Sequence, residues 1–340
     1  MKFRVNKTRE GGEDGVRVMT INEIAAMAGV SRATVSRYLN DGYVSEEKRE
    51  KIRRVIEETG YEPSVQAQQL RLKRTNIIGV IIPKINSESV SRMVAGISVV
   101  LAKEGYQMLL ANTDNDEKEE LKYLNLFKYN QVDGVILIGT ILTKAHKERL
   151  KEMQVPVVLL GQVLPGYSCV YHDDYHAAKE MTARLAKHAG ALGYIGVTQR
   201  DVAAGKERRR GFQAGAGDCV RTCAVEGDFS MDAGYEGCKK LLDQEPGLDG
   251  IFCATDSIAV GAKMCLEDAG KRVPEDVALA GVGDSMIAKV TRPSIATVHF
   301  YYKTSGMEAA RLLFDRIQNP GEAVREVKMG YEIVEGGSLR

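Results

Sequence analysis

From Asn76 onward, apolar runs of strand length alternate with amphipathic stretches of helical length. The runs are Ile77–Ile82, Met108–Ala111, Gly134–Ile138, Pro156–Leu160, Tyr194–Val197, Ile251–Ala254 and Val277–Val282. Helical patterns fall between them at Val90–Lys103, Glu117–Tyr129, Ala177–His188, Glu207–Ala214, Asp232–Leu242 and Ile258–Asp268. Continuously apolar strands separated by helices specify an α/β body with parallel sheets covered on both faces. Residues 76–340 approach the size at which a single core stops growing. Two subdomains are therefore expected, over roughly 76–175 and 176–300. The strand pattern Ile295–His299 and the helical pattern Ser305–Ile317 are expected to cross back between them.

Residues 20–60 carry no such alternation and read as three short helices. Thr20 and Glu23 have the spacing of a capping box, and Ile21, Ile24, Ala25 and Ala28 give the first helix an apolar stripe. Gly29-Val30 ends it. Ser31 is a good N-cap for a second helix, Arg32–Leu39, which ends near Asn40-Asp41-Gly42. Ser45 precedes a third helix with Glu46 and Glu47 in its first turn, where the helix dipole favours acid. Ile52, Val55 and Ile56 form its apolar face, and Gly60 ends it.

Helix, glycine turn and Ser-capped helix together have the shape of an N-terminal all-α helix-turn-helix head. Ala25, Ala26 and Ala28 allow the helices a close approach, and Val30 and Val35 can seal the angle. The second helix then presents Ser31, Arg32, Thr34, Arg37 and Asn40. Arg32 and Arg37 are expected to reach base edges and phosphates, a bidentate arginine–guanine contact giving about 1–3 kcal/mol of discrimination. Ser31 and Thr34 suit the DNA backbone. Thr20 and Ala33 complete the expected DNA-facing set. The competing reading makes all of these solvated positions on a small bundle.

Charge follows the same division. Residues 1–74 hold 15 basic and 11 acidic side chains, and the remainder of the 340 residues is net negative. A basic head on an acidic body suits an anionic partner for the head. Six cysteines, at 169, 219, 223, 238, 253 and 265, form no C-x-x-C pair, so they read as small core residues of a reducing cytoplasm. No run of 18 apolar residues exists, and no membrane span is expected. Residues 1–18 are polar, aperiodic and without a secretion-signal core; they read as disordered or as a basic arm, with Met19 an alternative start. In the connector 61–75, Pro63 blocks continuation of the third helix, and the few apolar positions beyond it make a marginal helix that orders only when supported.

The stretch from Ala25 to Asn40, A-x-x-A-G-V-S-x-x-T-V-S-R-x-L-N, followed by Tyr61, Pro63, Ala67 and Leu70 in a Y-x-P-x-x-x-A-x-x-L pattern, resembles the head and hinge of LacI-family transcriptional regulators. The resemblance runs from Thr20 to the last strands. It implies hinge helices that fold on operator DNA in the minor groove, with Ala67 and Leu70 at the DNA and Leu70 wedged into the central base step. It implies a two-lobed periplasmic-binding-protein-like body holding its effector between lobes, and a homodimer matched to a pseudo-palindromic operator. The stretch 327–340 shows no heptads of the leucine-rich helix with which the family forms tetramers, so a dimer is expected.

Polar residues placed just after apolar strands are effector-contact candidates in any such fold. Here they are Lys84 and Asn86, Asp201, Thr255 and Asp256, and Asp284. The segment 193–212, with Asp201, Lys206 and Arg208, resembles trehalose operon repressors, sucrose repressors standing close by. The resemblance implies that Arg208 contacts a sugar, and a planar fork suits vicinal hydroxyls or phosphate. The trehalose branch holds a sugar phosphate with an arginine where Lys84 stands, so phosphate recognition is in doubt. Asp256 and Asp284 are each open between binding sugar and capping the following helix. His172-Asp173-Asp174-Tyr175-His176 has the look of a metal box, but its family counterpart caps a helix and lines the cleft; no metal or cofactor is expected. His299 with Tyr301 and Tyr302 is open between stacking on sugar and packing the crossover.

Enzymatic motifs are missing. Gly281-Val282-Gly283 lacks the third glycine of a dinucleotide fingerprint, Gly205-Lys206 lacks P-loop spacing, and no G-x-S-x-G elbow occurs. The reading is a saccharide-controlled repressor of the trehalose, trehalose 6-phosphate or sucrose class. Its alternatives are a catabolite-control regulator answering to a phosphoprotein, and a sugar-binding module without DNA.

Overall fold

A computed structural model of the protein describes residues 19–61, 74–129, 132–218 and 220–340. Residues 1–18 and the hinge positions Ala67 and Leu70 lie outside the described residues. The chain divides into two compact units between Arg74 and Thr75.

The first unit contains α1 (Ile21–Ala28), α2 (Arg32–Tyr38) and α3 (Glu46–Thr59). The Thr20 amide donates to Glu23 Oε2 at 2.8 Å and the Glu23 amide to Thr20 Oγ1 at 3.4 Å, closing the expected capping box. Gly29 takes the left-handed conformation, φ 62°, that ends α1 and turns the chain toward α2. Ile24, Ala25, Ala28, Val35, Val44, Ile52 and Val55 are the buried core.

The second unit has two six-stranded sheets. The first lobe holds β1 (Ile77–Ile82), α4 (Glu88–Lys103), β2 (Gln107–Asn112), α5 (Glu117–Tyr129), β3 (Gly134–Ile138), α6 (Lys144–Lys151), β4 (Val157–Leu160) and β5 (Ser168–His172). The second holds α7 (Asp174–Ala186), β6 (Ala191–Val197), a π-helical turn (Val202–Glu207), α8 (Arg208–Ala216), β7 (Arg221–Gly227), α9 (Met231–Gln244), β8 (Gly250–Cys253), α10 (Asp256–Asp268), β9 (Ala278–Val282), α11 (Met286–Val290) and β10 (Ala296–Phe300). The chain then returns. α12 (Tyr302–Gln318) packs on α4 and on β3, β4 and β5 of the first lobe. β11 (Glu326–Met329) pairs in parallel with β5, and β12 (Tyr331–Val334) pairs antiparallel with β10. The strand orders are β11-β5-β4-β3-β1-β2 and β12-β10-β9-β8-β6-β7. Three crossings, at Asp173, Tyr301 and Gly330, therefore join the lobes.

Six of the apolar runs became central strands, the core ones buried along their length as expected of parallel sheets. Met108–Ala111 instead became β2, an edge strand with Leu109 and Leu110 exposed. β5, β7, β11, β12 and α6 were not read from the sequence. β7, β11 and β12 are edge strands with exposed or half-buried positions, so they lack an apolar run to betray them.

Candidate functional site

On the head, α2 displays Ser31, Arg32, Ala33, Arg37 and Asn40 to solvent, with Thr34 half-buried. Ser31 caps α2: the Thr34 amide donates to its Oγ at 3.2 Å, and its Oγ lies 2.9 Å from Thr34 Oγ1. These two hydroxyls hold the helix start that positions the arginines. The charges of α3 are largely spent within the helix, through Lys51–Glu47 at 2.7 Å and Arg53–Glu50 at 2.9 Å. Arg49 lies 5.5 Å from the centre of the Tyr38 ring. Among the described residues no carboxylate pairs with Arg32 or Arg37, so both cations of α2 are uncompensated. Asn40 is exposed, and its Nδ2 donates to the Ser36 carbonyl, closing the end of its own helix. Thr20 likewise is occupied by the capping box. Tyr43, 88% exposed after Gly42, is a surface aromatic that the sequence reading passed over; its only signal was an aromatic beside a turn glycine.

In the body, polar segments that follow the strands of one lobe meet those of the other. Arg92 of α4 donates to the Gly283 and Asp284 carbonyls, both at 3.0 Å. The Met286 amide donates to Glu88 Oε2 at 3.1 Å. Arg200, after β6, pairs with Glu117 of α5 at 2.7 Å. Gly283 and Asp284 have φ of 140° and 49°, a turn that aims consecutive carbonyls at Arg92.

Arg208 lies at the centre of the lobe crossings. Its Nε donates to Asp174 Oδ1 at 2.8 Å and its Nη1 to the Ala254 carbonyl. The guanidinium sits over the Phe300 ring, 5.5 Å from its centre. Asp174 begins the first crossing helix and Phe300 ends the strand before the second, so one buried cation ties both. Close beside it, His172 packs against Phe300 and Tyr302 with ring centres 5.0 Å apart in each case. Its Nε2 is buried without a hydrogen-bond partner. Burial pushes the imidazole down to about 4, with Asp174 opposing and Arg208 reinforcing the shift. Asp201 caps the π-helical turn by accepting from the Ala204 amide at 3.0 Å. Burial pushes its carboxyl up to about 6, against the Ala204 hydrogen bond and the nearby Arg208.

The remaining sequence candidates divide. Lys84 is half-buried, and the Asp228 carboxyl of the other lobe is held below the usual carboxylate range chiefly by hydrogen bonds from Ser230, the charge of Lys84 adding a smaller effect. Asn86 and Lys206 are exposed. Thr255 is the N-cap of α10, accepting from the Ile258 amide at 3.3 Å. Neither Asp256 nor Asp284 is a cap. Asp256 is buried; it accepts from the Ser285 amide and hydroxyl at 2.8 Å each and from Thr297 Oγ1. Asp284 binds Lys289 Nζ at 3.0 Å and lies 2.8 Å from His299 Nδ1, while Ser285 caps α11. His299 is thereby tied to Asp284.

A cavity of about 360 Å³ opens between the lobes beside the Arg208–Asp174 pair. Gly161 and Gln162 line it from the first lobe, Val202, Ala203 and Glu207 from the second, and Asp173 and Asp174 from the crossing. None of the eight effector-contact candidates lines it; Arg208 meets its wall through Asp174. In the stretch His172–His176, Asp173 caps α7 and Asp174 holds Arg208. Among the described residues no cluster of three metal-ligating side chains occurs, and no helix is long and apolar enough to cross a membrane.

Residues 20–64 match the model for bacterial regulatory proteins of the lacI family, and residues 183–339 match a periplasmic binding protein-like domain. The chain is 32% identical over 305 residues to the sucrose operon repressor of Staphylococcus xylosus, covering 88% of this chain and 94% of that protein. It is 31% identical over 333 residues to catabolite control protein A of Streptococcus mutans serotype c, covering 95% and 98%. Among solved structures it is similar to a complex of the transcriptional regulator CelR with cellobiose, with TM-score 0.72 and 30% identity over 94% of this chain and 99% of that one.

Proposed function

The chain belongs to the LacI family of bacterial DNA-binding transcriptional regulators, and on that premise we propose that it is a repressor whose hold on operator DNA is set by a small saccharide bound between its lobes. The saccharide is of the trehalose, trehalose 6-phosphate or sucrose class. Arg32 and Arg37 read the operator, Ser31, Ala33 and Thr34 fit α2 to the groove, and Ala67 and Leu70 of the hinge occupy the minor groove. Two copies act on the two halves of a pseudo-palindromic site. The relatives' printed names, a sucrose operon repressor and a regulator in complex with cellobiose, favour a saccharide.

The observation that carries this reading is the arrangement around Arg208. A guanidinium has five N–H donors, and here its position is fixed by a carboxylate and a carbonyl within a two-lobed body. A saccharide entering between the lobes meets this cation, Asp201 and the contacts that Arg92, Glu88 and Arg200 make across the cleft. A ligand that favours one arrangement of the lobes shifts the population toward it, and operator affinity follows.

The test is a binding selection of the full chain on random duplexes, followed by titration of the selected operator with saccharides. One saccharide should shift operator affinity by about 5- to 150-fold, the range of 1–3 kcal/mol of coupling. Selection of no DNA sequence would sink the repressor reading. The full-length similarity to a catabolite control protein favours a second reading, control by a phosphoprotein; an operator complex indifferent to every saccharide would move the choice there.

A further inference from the structure

Two segments at the C-terminal ends of strands meet across the cleft. In the first lobe α4 starts soon after β1, with Glu88 and Arg92 one turn apart. In the second, the turn Gly283–Ser285 follows β9. Every amide of that turn is spent within the second lobe. The Gly283 amide donates to the Val298 carbonyl at 2.9 Å, the Asp284 amide to Thr297 Oγ1 at 3.2 Å and the Ser285 amide to Asp256 Oδ2 at 2.8 Å. Asp256 is buried and accepts from the Ser285 and Thr297 hydroxyls as well. A Cβ on Gly281 would stand 2.5 Å from its Oδ1, so only glycine lets the carboxylate sit there.

Two carbonyls of the turn go to the other lobe. Arg92 Nη1 donates to the Gly283 carbonyl and Nη2 to the Asp284 carbonyl, both at 3.0 Å. With Asp284 at φ 49°, consecutive carbonyls are presented together, an arrangement that a guanidinium fork matches. Glu88 completes the grip: its Oε1 lies 3.3 Å from Arg92, and its Oε2 accepts from the Met286 amide at 3.1 Å. These are charge-assisted bonds to a backbone held from behind, and the arginine is only 30% exposed. The Arg200–Glu117 pair, also across the cleft, leaves its arginine 61% exposed, where such pairs contribute little. β1 stands three strands from β5, which leads into the first crossing, about 14 Å at ordinary sheet spacing. The grip therefore ties the first lobe at a point the crossings do not reach.

We infer that Glu88 and Arg92 form a latch: they hold the second lobe by its Gly283–Ser285 turn and so set, with the chain's own groups, how far the lobes part. Arg92 is a positioning residue for the regulator. It acts on DNA binding through the arrangement of the lobes, and Asp256 acts through the turn that Arg92 grips. An effector shifts a population already biased by this contact, so the latch fixes the operator affinity from which any effector starts. The latch does not depend on which small molecule the cleft takes.

The experiment is hydrogen exchange of the full chain at single-amide resolution, with no small molecule added, comparing the unaltered chain with Arg92→Ala and Arg92→Lys. The Met286 amide is the reporter, because its acceptor, Glu88, lies on the other lobe and is kept in both variants. Its exchange should rise about ten-fold or more in Arg92→Ala, and by less in Arg92→Lys, whose ammonium is a point charge without the fork. The amides of β1 and β8 should keep their rates. On the duplex selected by the unaltered chain, Arg92→Ala should differ in affinity by about five-fold or more without any saccharide. A Met286 amide that exchanges freely in the unaltered chain, or at one rate in all three proteins, overturns the latch. A rise shared by β1 and β8 also overturns it, since that is lost stability. A released Met286 amide with unaltered operator affinity overturns the link from latch to DNA. Failure of the unaltered chain to select any duplex would sink the repressor reading instead, and the exchange result would stand apart from it.

Discussion

Arg208 and Asp174 are joined Nε to Oδ1 at 2.8 Å, with 8% and 5% of their surfaces exposed. They come from helices that lie unusually close. A Cβ on Gly211, one turn beyond Arg208, would stand 2.4 Å from the Tyr175 carbonyl oxygen, so only glycine lets α8 settle onto α7 at this point. The pair is thus a product of backbone packing as much as of charge. Removing one partner leaves the other buried and uncompensated, which typically costs about 3–5 kcal/mol. Asp174→Asn should lower stability by that order in urea unfolding of the full chain. The double variant Asp174→Asn, Arg208→Met should recover a large part, because the stranded charge is gone. Equal loss in single and double variants would contradict a charge-based account.

The head gives an independent prediction. Arg37→Ala and Arg32→Ala remove exposed, unpaired cations and leave the core of the three helices intact. Each should weaken operator binding by about 1–3 kcal/mol if it reads a base. A phosphate contact would instead weaken all sequences alike and reduce the salt slope by about one. Electrophoretic shift assays at several salt concentrations separate the two. Circular dichroism of the variants should be unchanged, since neither side chain is used to hold α2.

Much of this architecture was legible because it is written in local patterns. Ile77–Ile82 and Gly134–Ile138 are strands with the bounds of their apolar runs, and the Thr20–Glu23 box and Gly29 set the limits of α1 as read. What could not be read depends on partners far away in sequence. Asp256 and Asp284 stand where caps commonly stand, but Thr255 and Ser285 take the caps, and the two carboxylates go to residues on other elements. Asp256 meets Thr297, 41 positions on, and Arg208 meets Asp174, 34 positions back. No periodicity encodes such pairs. The cross-lobe grip of Arg92 was equally hidden, since its acceptors are backbone carbonyls shaped by a left-handed turn 191 and 192 positions away.

His172 predicts an acid weakness. Its imidazole, at about 4 in the folded chain against an ordinary 6.5, is kept neutral by burial. Above pH 6.5 both folded and unfolded chains hold it neutral. As pH falls from 6.5 toward 4 the unfolded chain takes a proton that the folded chain refuses, and stability drops. The loss from this group is roughly 3 kcal/mol at most. His172→Phe keeps a ring against Phe300 and Tyr302 and removes the unpartnered Nε2. Its urea stability should fall less between pH 7 and pH 4.5 than that of the unaltered chain; parallel curves would show that another group governs the acid limb.

Asp201 works in the opposite direction. Its folded carboxyl titrates near 6 against an ordinary 3.8, chiefly through burial. Below pH 3.8 both states hold the proton, and the group costs nothing. Between 3.8 and 6 the unfolded chain gives up the proton more readily, so stability is lost as pH rises through that window and stays lost above it. The ceiling is roughly 3 kcal/mol. Asp201→Asn retains an oxygen for the Ala204 amide and removes the titration. It should be more stable than the unaltered chain at pH 7.5, by about 1–3 kcal/mol, and nearly equal to it at pH 4. The same variant should lose saccharide affinity if the carboxylate accepts a sugar hydroxyl. Gained stability with lost binding would identify Asp201 as a group kept charged and buried for its ligand; gained stability with unchanged binding would leave it as a helix cap alone.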